Sequence, residues 1–211
     1  KEGIGKMNKY NIVLASASPR RKEIMDRMGF SCRVFVADVE ESVSESEPAR
    51  MVQALASLKT DAVLSKYMQL DEARENFIMI GADTMVFYDG IALGKPKDEA
   101  DAFRMIDMLS GKSHEVISGV SIIIKDDKLE KLSFAVSTKV TMQKLTAEQI
   151  RDYIATGEPM DKAGAYAIQG LFGIYIKEIV GDYYNVVGFP IGKIYELLLQ
   201  RGIDLKKQIA K

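Results

Sequence analysis

The chain has few of the residues that build disulfide frameworks and transition-metal sites. It contains one cysteine, Cys32, one histidine, His114, and no tryptophan in 211 residues. A single cysteine excludes an intrachain disulfide and the paired cysteines of zinc and redox motifs. A single histidine argues against a metal site built from imidazole ligands. We therefore expect a reducing, cytoplasmic location, and we interpret His114, at the start of an apolar segment, as structural.

Neither sign of charge dominates, and no apolar run is long. The 29 basic and 30 acidic residues give a formal net charge of −1, so we expect neither a nucleic-acid partner nor an anionic membrane surface. The longest uncharged apolar stretches, such as residues 116–124, are far shorter than a membrane span. With 47% apolar residues the chain can bury a full core, which we assign to one domain at residues 10–205 after a tail at residues 1–9.

Apolar patterns, caps and turn residues predict strands that alternate with helices. Ser18 can cap a first helix, and Thr146 with Gln149 forms a capping box for a later one. Helices are predicted at residues 19–28, 48–63, 98–109, 146–156 and 190–199. Strands are predicted at residues 11–15, 31–36, 77–87 with an interruption at 81–84, 91–93, 114–124, 132–143, 173–180 and 183–187. Because several strands form hairpins, we predict a mixed α/β sheet flanked by helices.

Asp83 is the first candidate for chemistry. It follows the apolar run at residues 77–80, and a strand end there would place its carboxylate at the rim of a sheet, where ligands bind in α/β folds. Hydrolysis of a phosphoanhydride needs oxygen ligands for a metal and a carboxylate to activate water, and Glu40 and Glu41 are further candidates. A turn aspartate that accepts local backbone hydrogen bonds is an equally good interpretation of Asp83 alone.

The segment at residues 16–21 could bind an anion. It joins a strand to a helix, so hydroxyl groups, free backbone N–H groups and the guanidinium groups of Arg20 and Arg21 converge there. An ordinary capped helix with two solvated arginines explains the same residues equally well. Lys95 lies in Gly-Lys-Pro, which is not a P-loop, but it could supply a charge to a phosphate, as could Lys59 from its helix.

Residues 161–170 combine small residues with an amide, Gln169, and an aromatic ring, Tyr166. Such groups can recognise a base edge, although a tight connection also needs small residues. We favour a packed Tyr166 over one stacked on a base. The apolar helix near residues 194–199 could provide the surface of a homodimer or pack on the sheet, and we favour core packing.

Taken together, these segments resemble the Maf family of nucleoside triphosphate pyrophosphatases from about residue 12 to residue 199. Several separate motifs recur in the same order, so the resemblance is more specific than any one of them. It implies an elongated mixed sheet with two lobes and an active-site cleft, like that of inosine triphosphate pyrophosphatases. The matching motifs are LASASPRR at 14–21, the glutamates at 40–41, GADT at 81–84, GKP at 94–96, LSG at 109–111 and DKAGAYAIQG at 161–170.

The resemblance implies cleavage between the α and β phosphates of a nucleoside triphosphate with a divalent cation, Mg²⁺ or Mn²⁺. Asp83 would accept the proton of the attacking water and contact the metal, and Glu41 rather than Glu40 matches the second carboxylate at the metal. The positions that match phosphate-binding residues of the family are Ser18, Arg21, Lys59 and Lys95.

Arg20, Thr84 and Gln169 match the branch of the family that acts on dTTP and UTP. The branch that acts on 7-methyl-GTP carries tryptophan, glutamine and glutamate there, so we expect pyrimidine specificity. Gln169 can offer a donor and an acceptor to the edge of uracil or thymine. Two alternatives remain open: a nucleotide-binding regulator of septum formation, suggested by the family's association with cell division, and a 7-methyl-GTP pyrophosphatase.

Overall fold

A computed structural model describes residues 10–208, so the predicted tail at residues 1–9 lies outside the described residues. Within this range the strands are β1 (Asn11–Leu14), β2 (Arg33–Val34), β3 (Phe77–Tyr88), β4 (Ile91–Leu93), β5 (Ser113–Lys125), β6 (Leu129–Met142) and β7 (Ile176–Val180). They form one sheet in the order β2-β1-β3-β5-β6-β7, with β4 paired to β3. β1 is parallel to β2 and β3, and the other pairs are antiparallel. The predicted mixed sheet is confirmed.

The helices are α1 (Pro19–Arg27), α2 (Pro48–Tyr67), α3 (Glu99–Leu109), α4 (Ala147–Ala155), α5 (Tyr183–Val187) and α6 (Ile191–Leu199). The predicted capping box of Thr146 and Gln149 is present at the start of α4. Ser18 stands at the N-cap of α1, but its side chain makes no capping hydrogen bond. Within the described range, no helix is both long enough and apolar enough to cross a membrane.

Alternate side chains of the central strands divide the core between the two faces of the sheet. On one face, α1 and α6 pack on the strands, and Ile194 and Leu198 of α6 are buried there as predicted, while Leu199 is exposed. On the other face, α2 crosses β3, β5 and β6. A further cluster joins α3 and α4 to the end of the sheet that contains Val86 and Val116. α2 therefore lies directly against the strand that carries Asp83.

The predicted interruption of the third strand at residues 81–84 is wrong, because β3 runs through it without a break. Asp83 pairs with Gly119 of β5 and so lies inside a strand and not at a strand end. Gly81 has a packing role here: a Cβ atom on it would overlap the hydroxyl of Thr60 on α2. The glycine allows the helix to approach the sheet closely, so it does not mark a turn.

The predicted strand at residues 183–187 is also wrong, because these residues form α5. Three features favour the helix over the strand. The side chain of Asp182 accepts a hydrogen bond from the Tyr184 N–H and caps the helix. Asn185 is completely buried with its amide nitrogen hydrogen-bonded, and Gly188 ends the helix at φ 107°. Apolar alternation alone does not reveal these polar constraints.

Two other predicted strands are shorter than expected. Of residues 31–36 only the pair in β2 is strand. Residues 171–175 form a short 3₁₀ helix, and β7 begins after it at Ile176. This helix buries the ring of Phe172, which packs against Tyr153 and Tyr166. Burial of that ring explains why the apolar run does not continue as a strand.

Candidate active site

A cleft of about 800 Å³ lies beside the middle of β3. This volume is within the range of nucleotide-sized ligand sites. All nine site residues implied by the family resemblance line this cleft: Ser18, Arg20, Arg21, Glu41, Lys59, Asp83, Thr84, Lys95 and Gln169. Glu40, the alternative to Glu41, does not line it. The fold thus brings together residues that are separated by up to 151 positions in the chain, since Gln169 follows Ser18 by that number.

Lys59 connects two acidic residues of the cleft, Asp83 and Glu41. Its Nζ lies 2.6 Å from Asp83 Oδ1 and 2.9 Å from Glu41 Oε2. Lys59 comes from α2, Asp83 from β3, and Glu41 from the loop that precedes α2. The Asp83 side chain is only 12% exposed, whereas that of Glu41 is 56% exposed. A mostly buried carboxylate needs a partner of opposite charge, and Lys59 provides it.

The two carboxylates fit a hard divalent cation whose coordination is completed by substrate. Mg²⁺ prefers oxygen ligands and is usually held by one or two carboxylates together with substrate phosphates. Among residues 10–208, no group of three or more His, Cys, Asp or Glu side chains is arranged to hold a metal ion. Glu41 and Asp83 therefore offer two carboxylates with oxygen donors of the kind that a hard divalent cation prefers, and in this structure Lys59 Nζ lies between them.

The guanidinium group of Arg21 is hydrogen-bonded mainly to other groups of the protein. Its guanidinium group donates to the hydroxyl of Ser16 at 2.9 Å and to the carbonyl oxygens of Ala82 at 2.6 Å and Gly188 at 2.9 Å. A fourth hydrogen bond, 3.3 Å long, reaches Thr84 Oγ1. An arginine has five N–H groups, so one remains for a phosphate. Burial lowers the pKa of Arg21 to about 10, which still leaves it charged at neutral pH.

Arg20, Lys95 and Gln169 lie nearer the mouth of the cleft. Arg20 Nη1 is 3.9 Å from Asp161 Oδ2, so the start of α1 faces the segment at residues 161–170. Lys95 and Gln169 are both exposed. The N–H of Gly164 donates to the carbonyl of Gly94 at 3.0 Å, which ties this segment to the loop that carries Lys95. Arg20 and Lys95 therefore add positive charge to the exposed part of the cleft lining, and Asp161 adds a negative charge beside Arg20.

Tyr166 is packed in the protein interior, as we favoured from the sequence. It is 6% exposed, and its hydroxyl lies 2.7 Å from Nε2 of His114, whose ring meets the tyrosine ring edge to face. His114 is itself 3% exposed. The pair fixes residues 161–170 to β5, so both residues support the segment that carries Gln169.

The burial of His114 should make the stability of the protein depend on pH. Burial lowers its pKa from 6.5 to about 4. In the unfolded chain the histidine gains a proton below about pH 6.5, while in the folded protein it stays neutral, so the free energy of unfolding should decrease as the pH falls from about 6.5 to about 4. Urea unfolding at pH 7 and pH 5 should show about 2 kcal/mol of this loss in the wild type. The His114→Gln variant has no imidazole to protonate, so it should not show this loss of unfolding free energy. Equal pH dependence of the unfolding free energy in the two proteins would contradict the attribution of the loss to His114.

Three residues around Thr84 were not predicted from the sequence: Ser118, Asn185 and Gly188. They come from two distant segments, and two of them, Ser118 and Gly188, contact Thr84 or Arg21 directly. Ser118 lies in an apolar strand, and Asn185 lies in a run that resembles a strand. The only sequence signal for them is a polar residue within an apolar run, which by itself does not identify a partner.

Known proteins are similar in sequence to this chain over nearly its whole length. The Maf-like protein family matches residues 11–201. A dTTP/UTP pyrophosphatase of Lachnoclostridium phytofermentans is 46% identical over 202 residues, which cover 95% of this chain and 100% of that protein. A protein of the same name from Agathobacter rectalis is 46% identical over 92% of this chain and 98% of its own length.

Among solved structures, the Staphylococcus aureus Ham1 protein aligns with 90% of this chain and 99% of its own chain, at 15% identity and a TM-score of 0.43. That score is too low to support an inference. The sequence matches are sufficient by themselves, because they extend from β1 to the end of α6 and include every motif that lines the cleft. The chain belongs to the Maf family.

Proposed function

We propose that this protein hydrolyses dTTP and UTP to the nucleoside monophosphate and pyrophosphate. The observation that carries the proposal is the pairing of Asp83 and Glu41 through Lys59 inside a cleft with a basic mouth. Phosphoryl-transfer catalysis requires charge neutralisation and a positioned nucleophile, and this arrangement offers both. The names of the relatives, dTTP/UTP pyrophosphatases at about 45% identity, support the same reaction.

Asp83 is the proposed general base. Lys59 donates a hydrogen bond to its Oδ1 at 2.6 Å, and we assign its other oxygen, Oδ2, to a water molecule. The carboxylate removes a proton as the water oxygen bonds to the α phosphorus. The bond from the α phosphorus to the bridging oxygen breaks, and pyrophosphate leaves with that oxygen. Because Lys59 orients Asp83 before substrate arrives, little reorganisation is needed.

The remaining charged residues are proposed to bind the triphosphate. Lys59 and Lys95 supply point charges, Ser18 and the N–H groups at the start of α1 supply donors, and Arg21 contributes its one free N–H. A divalent cation held by Glu41 and Asp83, Mg²⁺ or Mn²⁺, would neutralise phosphate charge when bound. We include a cytoplasmic location in the proposal, because nucleoside triphosphates are cytoplasmic metabolites.

Arg20, Thr84 and Gln169 are proposed to recognise the base. Gln169 can donate to and accept from a pyrimidine edge, and a site with such groups leaves them unpaired when the wrong base enters. Its exposed position at the mouth of the cleft is compatible with contact to an incoming base.

A panel of nucleoside triphosphates tests the proposed function. We expect kcat/KM for dTTP and UTP to exceed that for CTP, dATP, dGTP and 7-methyl-GTP by at least about 100-fold, because a site with polar contacts to the base discriminates more strongly than an apolar pocket does. The assay should measure pyrophosphate and run with Mg²⁺ and with Mn²⁺. Preference for 7-methyl-GTP would refute the proposed pyrimidine specificity. Binding of nucleotides without turnover would refute the proposed pyrophosphatase activity.

A further inference from the structure

The hydroxyl group of Thr84 lies within hydrogen-bond distance of three polar groups of the protein. Its Oγ1 lies 2.8 Å from Ser118 Oγ, 3.3 Å from Arg21 Nη2 and 3.4 Å from the carbonyl oxygen of Gly188. Thr84 also lines the cleft and is half-buried. One side of this hydroxyl therefore meets the protein and the other can meet a ligand.

The directions of these hydrogen bonds follow from the chemistry of the partners. Ser118 Oγ lies 3.1 Å from the carbonyl oxygen of Asn185, which can only accept, and we assign the single proton of Ser118 to that contact. Arg21 can only donate. With this assignment, Thr84 directs its own proton to Ser118 Oγ or to the Gly188 carbonyl oxygen. In either case no proton of Thr84 is left for the cleft, which receives only a lone pair.

Asn185 is held in place firmly enough to set this direction. Its Nδ2 donates to the carbonyl oxygen of Val116 at 2.9 Å and to the hydroxyl of Thr138 at 2.9 Å. Asn185 and Ser118 have no exposed surface, and Thr138 is 1% exposed. Buried polar groups lose much free energy when they lack partners, so this chain of hydrogen bonds resists rearrangement.

We propose that Ser118 and Asn185 are positioning residues that fix the Thr84 hydroxyl as a hydrogen-bond acceptor and thereby select uracil and thymine against cytosine. Uracil and thymine carry an N–H group at N3, which can donate to an acceptor. Cytosine has a lone pair at N3, and two lone pairs that face each other repel. This inference rests on the proposed function, since it assigns the basis of its pyrimidine selectivity.

The strand β5 offers a matched pair of variants for the test. Ser118 and Ser121 are both completely buried, but Ser121 Oγ has no hydrogen-bond partner among residues 10–208, while Ser118 links Thr84 to Asn185. Ser118→Ala removes the 2.8 Å contact of Thr84 with Ser118 Oγ and leaves the Thr84 hydroxyl only the 3.4 Å contact with the Gly188 carbonyl oxygen as an acceptor for its proton. The Thr84 hydroxyl can then rotate and donate its proton to a ligand in the cleft. We expect the ratio of kcat/KM for UTP to that for CTP to fall about tenfold, more through KM than through kcat, and to stay at the wild-type value in Ser121→Ala.

Thermal unfolding of both variants separates this role from a purely structural one. A lower Tm in Ser118→Ala with an unchanged ratio of UTP to CTP would overturn the proposal. If Ser118→Ala does not fold, Thr84→Ser and Thr84→Val decide: the serine variant should keep the ratio and the valine variant should lose it, and equal ratios would overturn the proposal. A wild type that hydrolyses neither nucleotide would instead refute the proposed function.

Discussion

Replacement of Asp83 by asparagine should lower kcat for dTTP and UTP by about a thousandfold, within the range that a general base contributes. The amide has nearly the same shape as the carboxylate but cannot accept the proton of the attacking water. Lys59 keeps its ion pair with Glu41, so the fold and the binding of nucleotide should persist. Pyrophosphate release measures the first effect, and calorimetric titration with nucleotide measures the second.

Asp127→Asn is the matched control for this variant. Asp127 is exposed in the turn between β5 and β6, on the same sheet but outside the cleft. Its replacement removes one negative charge from the protein, as Asp83→Asn does, and it should leave kcat within about twofold of the wild type. Full turnover in Asp83→Asn would contradict the role of Asp83 as the base.

Replacement of Gly119 by alanine should destabilise the protein by about 3 kcal/mol or more, at the upper end of overpacking in a core. A Cβ atom at Gly119 would overlap the carbonyl group of Val52 and crowd the N–H of Gln53, both in the backbone of α2. A helix backbone cannot move as easily as a side-chain tip, so α2 must shift away from the sheet. Since α2 carries Lys59, turnover should fall as well. Urea unfolding and the pyrophosphate assay measure the two effects.

Gly192→Ala provides the comparison for Gly119→Ala. Gly192 lies in the exposed part of α6, and a Cβ atom there would have no heavy atom within 4 Å. Gly192 is the second residue of α6, and replacing a helical glycine by alanine gains at most about 1 kcal/mol, so this variant should be as stable as the wild type or slightly more stable. Equal stability of the two variants would mean that α2 does not pack on Gly119 as described.

Local signals predicted most of the fold because they act within a few residues. The capping box of α4 is a contact between near neighbours, and it is present as predicted. The predictions were wrong where contacts between residues distant in the chain determine the secondary structure. Gly81 indicated an interruption of the third strand, but the glycine instead leaves the space that α2 needs to pack closely on the sheet. Residues 183–187 indicated a strand, but burial of Asn185 among β5 and β6 requires the helix.

The candidate site was predictable as a set of motifs but not as a set of contacts. The resemblance to the Maf family selected nine residues, and all nine line the cleft. The sequence did not indicate that Lys59 bridges Glu41 and Asp83, or that four N–H groups of Arg21 are used within the protein. Such contacts join residues of α1, α2 and β3, and no local pattern encodes the distances between these elements.

Hydrolysis of dTTP in water enriched in heavy oxygen tests the central claim most directly. If Asp83 activates water for attack at the α phosphorus, mass spectrometry should find the heavy oxygen in thymidine monophosphate, and the second product should be unlabelled pyrophosphate. Heavy oxygen in pyrophosphate, or release of orthophosphate as the first product, would show attack at another phosphorus and would contradict the account.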